Sequence, residues 1–146
     1  AIAACLGEAM KPSFRRYARQ IVKTAKTLAR ELTKRGFNLV SGGTDNHMML
    51  IDLTNLGISG REAQDQLEQV GIIVNRNTIP FDTRSPFDPS GIRLGTPTVT
   101  SRGMGVREMR VIAGLLYDAL TNWRPATAIR REVRRLCRRF RYHDHP

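Results

Sequence analysis

One apolar stripe near the start of the chain constrains what it can fold into. From Phe14 to Leu32, apolar residues recur at helical spacing, with Pro12-Ser13 before them and Gly36 after them. The pattern predicts a long amphipathic helix that begins at Pro12 and ends before Gly36. Such a helix needs other elements to cover its apolar face, so the rest of the chain must supply a packing layer.

Short apolar segments bounded by glycine and turn residues predict that layer. Strands are expected at residues 37–40, 47–53, 72–74 and around Arg93. Further helices are expected at residues 59–70, 106–120 and 126–142, the first of them because Ser59 and Glu62 form a capping-box pattern. With 146 residues and 40% apolar content, the chain is predicted to form a two-layer α/β domain, a sheet of three or four strands with helices packed on it.

The two ends of the chain differ from this central domain. Residues 1–6 show an apolar helical pattern without an initiator methionine or an N-cap, so residues 1–11 are expected to be the end of a helix from a larger chain. Residues 12–121 form the predicted α/β domain, and residues 122–146 a basic C-terminal helix and tail. Cys5 and Cys137 match no metal or redox spacing, so reduced thiols in a cytoplasmic protein are expected, with no metal site.

Much of the charge lies in that tail. The chain carries a formal net charge of +11, and residues 123–146 hold eight arginines against two acids. An apolar stripe from Ile129 to Phe140 favours a helix whose arginines simply face solvent. Nucleic-acid binding by the tail is the alternative. No hydrophobic run is long enough to cross a membrane, and no membrane partner is expected.

The stretch Ser90-Gly91-Ile92-Arg93-Leu94-Gly95-Thr96-Pro97 places one arginine inside a short apolar strand. Because a buried unpaired charge is costly, Arg93 is expected to face an anion, and its planar guanidinium suits a carboxylate or a phosphate. The flanking glycines allow a ligand or a second backbone to approach closely. An intradomain salt bridge or a contact with a helix C-terminus is the alternative.

A long loop at residues 76–90 is a second candidate site, because loops of this length are usually functional or disordered. The amide of Asn77 suits the edge of a heterocycle, and Phe87 offers a flat apolar surface. The alternative is a stiff proline-rich turn with Phe87 in the core. His47, at a strand edge, is interpreted as a structural residue.

Four ordered motifs resemble the C-terminal domain of serine hydroxymethyltransferase, a pyridoxal-phosphate enzyme family of fold type I. They are Val40–His47, Asn75–Pro80, Ser85–Phe87 and Ser90–Pro97, and the resemblance runs from about residue 1 to about residue 121. It implies an enzyme that interconverts serine and glycine on pyridoxal phosphate, with tetrahydrofolate as cosubstrate. It also implies a cytoplasmic homodimer or dimer of dimers.

The resemblance further implies roles for individual residues. Arg93 stands where the family binds the α-carboxylate of its substrate, and Asn77 matches a contact to the pteridine ring. Ser85, Pro86 and Phe87 match the tetrahydrofolate pocket. None of the four lysines, at positions 11, 23, 26 and 34, follows the family's histidine-lysine pattern, so this chain alone is expected to be inactive. A degenerate paralogue that dimerises without chemistry is a further alternative.

Overall fold

A computed structural model describes residues 1–141, in which six α-helices accompany one four-stranded sheet. The helices are α1 (Ile2–Ala9), α2 (Pro12–Thr33), α3 (Gly60–Gln69), α4 (Pro97–Ser101), α5 (Val106–Leu120) and α6 (Ala126–Arg139). The strands are β1 (Asn38–Leu39), β2 (Met48–Asp52), β3 (Asn75–Asn77) and β4 (Gly91–Gly95). The predicted α/β class and the number of strands are confirmed.

The sheet is antiparallel throughout, in the order β1-β2-β4-β3. β4 is a central strand, and its middle residue, Arg93, pairs with Leu50 of β2 on one side and Asn75 of β3 on the other. Because side chains alternate between the faces of a strand, this register places Leu50, Arg93 and Asn75 side by side on one face.

The other face of the sheet, here the inner face, packs on the helices. Met49 and Ile51 of β2 and Ile92 of β4 are buried there. The helical side of this core is supplied by α2, α3 and α5, through buried residues that include Ala25, Leu28, Leu32, Leu67, Met109 and Leu116. The second half of the apolar stripe, from Ala25 to Leu32, is therefore covered, whereas Phe14 at its start remains exposed. The face that carries Arg93 is called the outer face below.

Local signals at the helix ends act as predicted. Pro12 occupies the first turn of α2, and Gly36 follows its end with a φ of 85°. At α3, the Ser59 hydroxyl accepts from the Glu62 N–H at 3.2 Å while the Glu62 carboxylate accepts from the Ser59 N–H at 2.6 Å. Both caps satisfy backbone groups that a helix cannot satisfy internally.

The predicted strand at residues 72–74 is wrong, because the third strand is Asn75–Asn77 and Ile73 is 78% exposed. Gly71 adopts a φ of 85°, and the Ile72 N–H donates to the Leu67 carbonyl at 2.9 Å. These residues terminate α3, so the chain can join the sheet only after them.

Two smaller expectations also differ from the structure, and one helix was not expected. The first strand covers only Asn38–Leu39, because Val40 already belongs to a 3₁₀ turn in which Ser41 has a φ of 65°. The last helix ends at Arg139, and Tyr142, its predicted end, lies outside the described residues. The short helix α4 was not predicted.

The first helix, α1, has no buried residue in this structure. Ile2, Leu6 and Met10 recur every four residues and are all exposed, which gives the helix an uncovered apolar stripe. Within residues 1–141, none of the helices combines the length and apolar character needed to cross a membrane.

Candidate functional site

Arg93 lies at the centre of the outer face, and its side chain is exposed. Its neighbours in the chain, Ile92 and Leu94, point inward and are buried. Strand alternation places the guanidinium outside the core, so the cost of a buried charge, which led to the expectation of an anionic partner, does not apply to Arg93.

Within residues 1–141, the Arg93 side chain makes no ion pair and no hydrogen bond. The acid on the neighbouring strand, Asp52, accepts instead from the Asn38 amide at 2.9 Å and from the Thr54 hydroxyl at 2.6 Å. The alternative of an intradomain salt bridge is absent from the part of the chain that the structure describes. The charge of Arg93 is thus available to an external anion.

Two concavities meet at Arg93. The first, of about 590 Å³, opens beside the edge of β4 and has an apolar floor. The second, of about 490 Å³, lies over β2 and is more polar, with Asn77 on its wall. Volumes of this size suit small-molecule ligands. A ligand in either concavity can reach the same guanidinium.

The two glycines of β4 have different environments. A side chain at Gly91 would meet the Ile51 carbonyl oxygen and the Ile79 Cγ2, both at 2.7 Å. At Gly95 the nearest atom, the His47 carbonyl oxygen, is 3.5 Å away, an ordinary contact distance. Gly91 therefore permits the close approach of a second backbone, as predicted for this motif, whereas Gly95 leaves room beside Arg93.

The wall of the second concavity includes a turn at residues 41–46, which sequence reasoning treated only as a strand break. The Asn46 carboxamide oxygen accepts from the Met48 N–H at 2.9 Å, and Lys26 Nζ lies 3.2 Å from the Asp45 carboxylate. These contacts hold the turn against β2 and α2. The adjacent His47 is exposed, and its backbone carbonyl accepts from the Thr96 N–H at 3.0 Å.

The loop between β3 and β4 is organised by one carboxylate. Asp82 accepts from the Ser90 hydroxyl at 2.6 Å and from the N–H groups of Ser90, Arg84 and Ile79 at 3.0, 3.0 and 3.2 Å. These hydrogen bonds, that of the Ser90 hydroxyl above all, hold the pKa of Asp82 well below its usual range. Sequence reasoning missed this residue, although an aspartate after Pro80 in a turn-rich stretch is a signal for such a loop.

This loop displays its aromatic residue instead of burying it. Phe87 is 81% exposed, which excludes the alternative that it fills the core. Ser85 and Pro86 are also exposed, and the Ser85 hydroxyl accepts from the Phe87 N–H at 3.3 Å. The Asn77 amide donates to the Thr78 carbonyl at 2.8 Å.

The predicted site residues thus fall into two groups. Arg93 and Asn77 share the second concavity, whereas Ser85, Pro86 and Phe87 line neither of the two concavities. Asn75, which pairs with Arg93 and lines the first concavity, was not predicted. A correct prediction of the third strand would have identified Asn75, because strand alternation places Asn75 on the same face as Arg93.

The described residues do not fit a covalently held cofactor beside Arg93. None of the four lysines lines either concavity, and Lys26 and Lys34 are paired with Asp45 and Glu31. Between residues 1 and 141, no three histidine, cysteine or acidic side chains are grouped closely enough to hold a metal ion.

A family model described as serine hydroxymethyltransferase matches residues 1–116. The chain belongs to this family. It is 60% identical over 121 residues to a serine hydroxymethyltransferase of Acidothermus cellulolyticus, which covers 83% of this chain and 28% of that protein. It is 52% identical over 143 residues to a serine hydroxymethyltransferase of Sorangium cellulosum. This match covers 96% of this chain and 34% of that protein. The chain thus spans about a third of the length of these relatives.

Proposed function

We propose that this chain is the C-terminal part of a serine hydroxymethyltransferase that transfers a one-carbon unit between serine and tetrahydrofolate. In this proposal Arg93 binds the α-carboxylate of serine or glycine. The observation that carries it is the exposed Arg93 guanidinium, which has no partner within residues 1–141 and borders two concavities.

The chemistry of arginine explains why such a position suits this substrate. A guanidinium can donate two parallel hydrogen bonds to one carboxylate, which fixes both the position and the orientation of the substrate. Holding the carboxylate restricts rotation about the bond between the substrate nitrogen and Cα, so the bond to be broken keeps one orientation. Because β4 is one of the two interior strands of a sheet anchored on three helices, the backbone of Arg93 is a rigid support.

We assign the folate contacts to Asn77 and to the loop with Ser85, Pro86 and Phe87. Asn77 shares a concavity with Arg93, and its amide matches the donor and acceptor pattern of a pteridine edge. Hydrogen bonds to Asp82 hold the loop in one shape, and Phe87 is exposed on it. Binding of a ligand to Phe87 would therefore cost little entropy for ordering the loop. An exposed aromatic ring of this kind can stack on a heterocycle.

The remainder of the active site is assigned to other parts of the longer enzyme. Pyridoxal phosphate would be held there, because the lysines described here lie away from Arg93. The apolar stripe of α1, within residues 1–11, would pack against that larger part or against a second subunit of a homodimer or tetramer. The enzyme would act in the cytoplasm, and residues 122–146 would be its basic C-terminal segment, whose helix α6 packs on the domain through Ile129 and Val133.

A chimeric enzyme tests this assignment. The 121 residues of the Acidothermus cellulolyticus protein that align with this chain are replaced by their counterparts here. The chimera is expected to interconvert serine and glycine with tetrahydrofolate, whereas the 146-residue chain alone is expected to show no serine cleavage. In the chimera, Arg93→Lys should raise the KM for serine about 10- to 100-fold, because one ammonium cannot replace two parallel hydrogen bonds.

Arg76→Lys is the matched control for that substitution. Arg76 is an exposed arginine on the neighbouring strand β3, but alternation turns it away from the face that carries Arg93. The Arg76→Lys substitution should leave the KM for serine unchanged. An Arg93→Lys chimera with the parent KM would contradict the carboxylate assignment, and serine cleavage by the isolated chain would contradict the division of the active site.

A further inference from the structure

The last helix, α6, presents five arginines to solvent on one surface. Together with Thr127 they line a shallow concavity of about 560 Å³: Arg130, Arg131, Arg134, Arg135 and Arg138. We call these five residues the arginine face. All five are exposed. Nothing in the proposed serine and folate site uses them.

The helix that carries this face is fixed to the domain. On its opposite side, Ile129 and Val133 are buried. Its last carbonyls accept from Arg102, whose Nε lies 2.7 Å from the Phe140 oxygen. Near its start, Arg124 joins it to α5 through Glu132 at 2.9 Å and Asp118 at 3.1 Å. The arginine face is therefore a preorganised surface and not a disordered tail.

Most of the charge of this face is not neutralised by the protein. In the part of the chain that is described, Arg130, Arg131, Arg134 and Arg138 make no ion pair, and Arg135 has only a long contact of 3.8 Å with Glu132. Residues 126–141 contain seven arginines and a single acid. Like charges four residues apart on a helix repel one another, and a bound polyanion would relieve that repulsion.

We propose that the arginine face binds the phosphate backbone of double-stranded nucleic acid, without reading its sequence. The guanidinium fork matches phosphate oxygens, and the C-terminal helix contains arginine but no lysine. From Arg130 to Arg138 the helix rises about 12 Å, close to the width of about 12 Å of the DNA major groove. A rigid helix of this size can therefore place several arginines on phosphates at once.

The structure argues against two other polyanionic partners. A membrane-surface helix inserts its apolar face into the bilayer, but here Ile129 and Val133 of that face are buried in the protein. Single-stranded nucleic acid is bound mainly by stacking on aromatic rings, and none of the residues that line the concavity is aromatic. Double-stranded nucleic acid needs neither feature.

Fluorescence anisotropy of the 146-residue chain with a labelled 20-base-pair DNA of arbitrary sequence tests the proposal. Five phosphate contacts predict that the logarithm of the association constant falls against the logarithm of salt concentration with a slope of about −4.5. The variant Arg130→Gln/Arg134→Gln/Arg138→Gln should reduce the slope to about −1.8. Circular dichroism of each variant shows whether the fold is kept.

Two matched variants separate this site from general charge. Arg15→Gln/Arg16→Gln/Arg19→Gln removes the same three charges from an exposed part of α2, and it should keep the parent slope. Arg130→Lys/Arg134→Lys/Arg138→Lys keeps the charge but loses the fork, and it should keep the slope while lowering the affinity several-fold. If the glutamine variant does not fold, the lysine variant still tests the proposal through its lower affinity for DNA.

Three results would overturn the proposal. The first is equal loss of DNA binding in the α2 variant and the α6 glutamine variant, which would show only a net-charge effect. The second is tighter binding of a single strand of the same length. The third is binding of vesicles containing 30% phosphatidylserine in phosphatidylcholine without binding of duplex DNA. Because these assays need neither serine nor folate, failure of the proposed enzyme function would not affect them.

Discussion

The two faces of the sheet differ although they are built from the same strands. On the inner face, Met49, Ile51 and Ile92 are buried against the helices. On the outer face, Met48, Arg93 and Asn75 are exposed, and each of them borders at least one of the two concavities. Alternating residues of one strand, β4, thus serve two purposes: Ile92 stabilises the domain, and Arg93 is available to a ligand.

This difference has a consequence for substitutions. Changes on the inner face should lower the free energy of unfolding, whereas changes on the outer face should affect ligand affinity and leave stability nearly unchanged.

The largest effect is expected within β4 itself. Ile92→Ala should lower the free energy of unfolding by about 2–5 kcal/mol, since it leaves a cavity in a closely packed core. The adjacent change Arg93→Gln should alter it by less than about 0.5 kcal/mol. Urea denaturation of both variants measures the two values. Similar losses would mean that Arg93 has a structural role.

The next effect concerns the two glycines of the same strand. Gly91→Ala should lower the free energy of unfolding by about 1–3 kcal/mol, because its Cβ would press on the Ile51 carbonyl and on Ile79. Gly95→Ala should be tolerated, since only ordinary contacts await it. Thermal denaturation distinguishes them. An unstable Gly95→Ala variant would show that the space beside Arg93 is smaller than the structure indicates.

A smaller effect is expected at an arginine that serves the fold. Arg102→Met should lower the free energy of unfolding by about 1–2 kcal/mol, because the carbonyls of Cys137 and Phe140 lose their donor. In the chimeric enzyme, the KM for serine should not change. A raised KM with unchanged stability would reverse the roles assigned to Arg102 and Arg93.

The smallest effect is expected in the pH dependence of stability. Because the pKa of Asp82 is lowered in the folded state, its contribution is complete above the unfolded pKa near 4 and is lost as the pH falls below that value. Asp82→Asn should therefore be less stable than the parent at pH 7, with a gap that narrows at acid pH. Urea midpoints between pH 7 and pH 2.5 measure this gap.

The hydrogen bond from Arg35 lowers the pKa of Glu31 as well. Glu31 is present in both the parent and the Asp82→Asn variant, so the difference between their urea midpoints reports on Asp82 alone. A gap that stayed constant down to pH 2.5 would contradict the assigned hydrogen bonds. In the chimera, the same variant should raise the KM for tetrahydrofolate without changing that for serine.

Local sequence determined much of this protein. The stripe from Phe14 to Leu32, the cap formed by Ser59 and Glu62, and the glycines that end α2 and α3 act through neighbours in the chain. The family could also be identified from four short motifs, since the matches to residues 1–116 and to two relatives confirm it.

Tertiary structure alone decided where the site opens. That Asn75 stands beside Arg93, and that the turn at residues 41–46 lines the second concavity with Asn77, depends on which strands pair and in which register. The prediction of a strand at Ile72–Val74 is wrong because the Ile72 N–H donates to the Leu67 carbonyl and so closes the end of α3. The strand β3 begins only at Asn75. Hydrogen bonds between distant strands set these positions, and no local pattern of side chains encodes them.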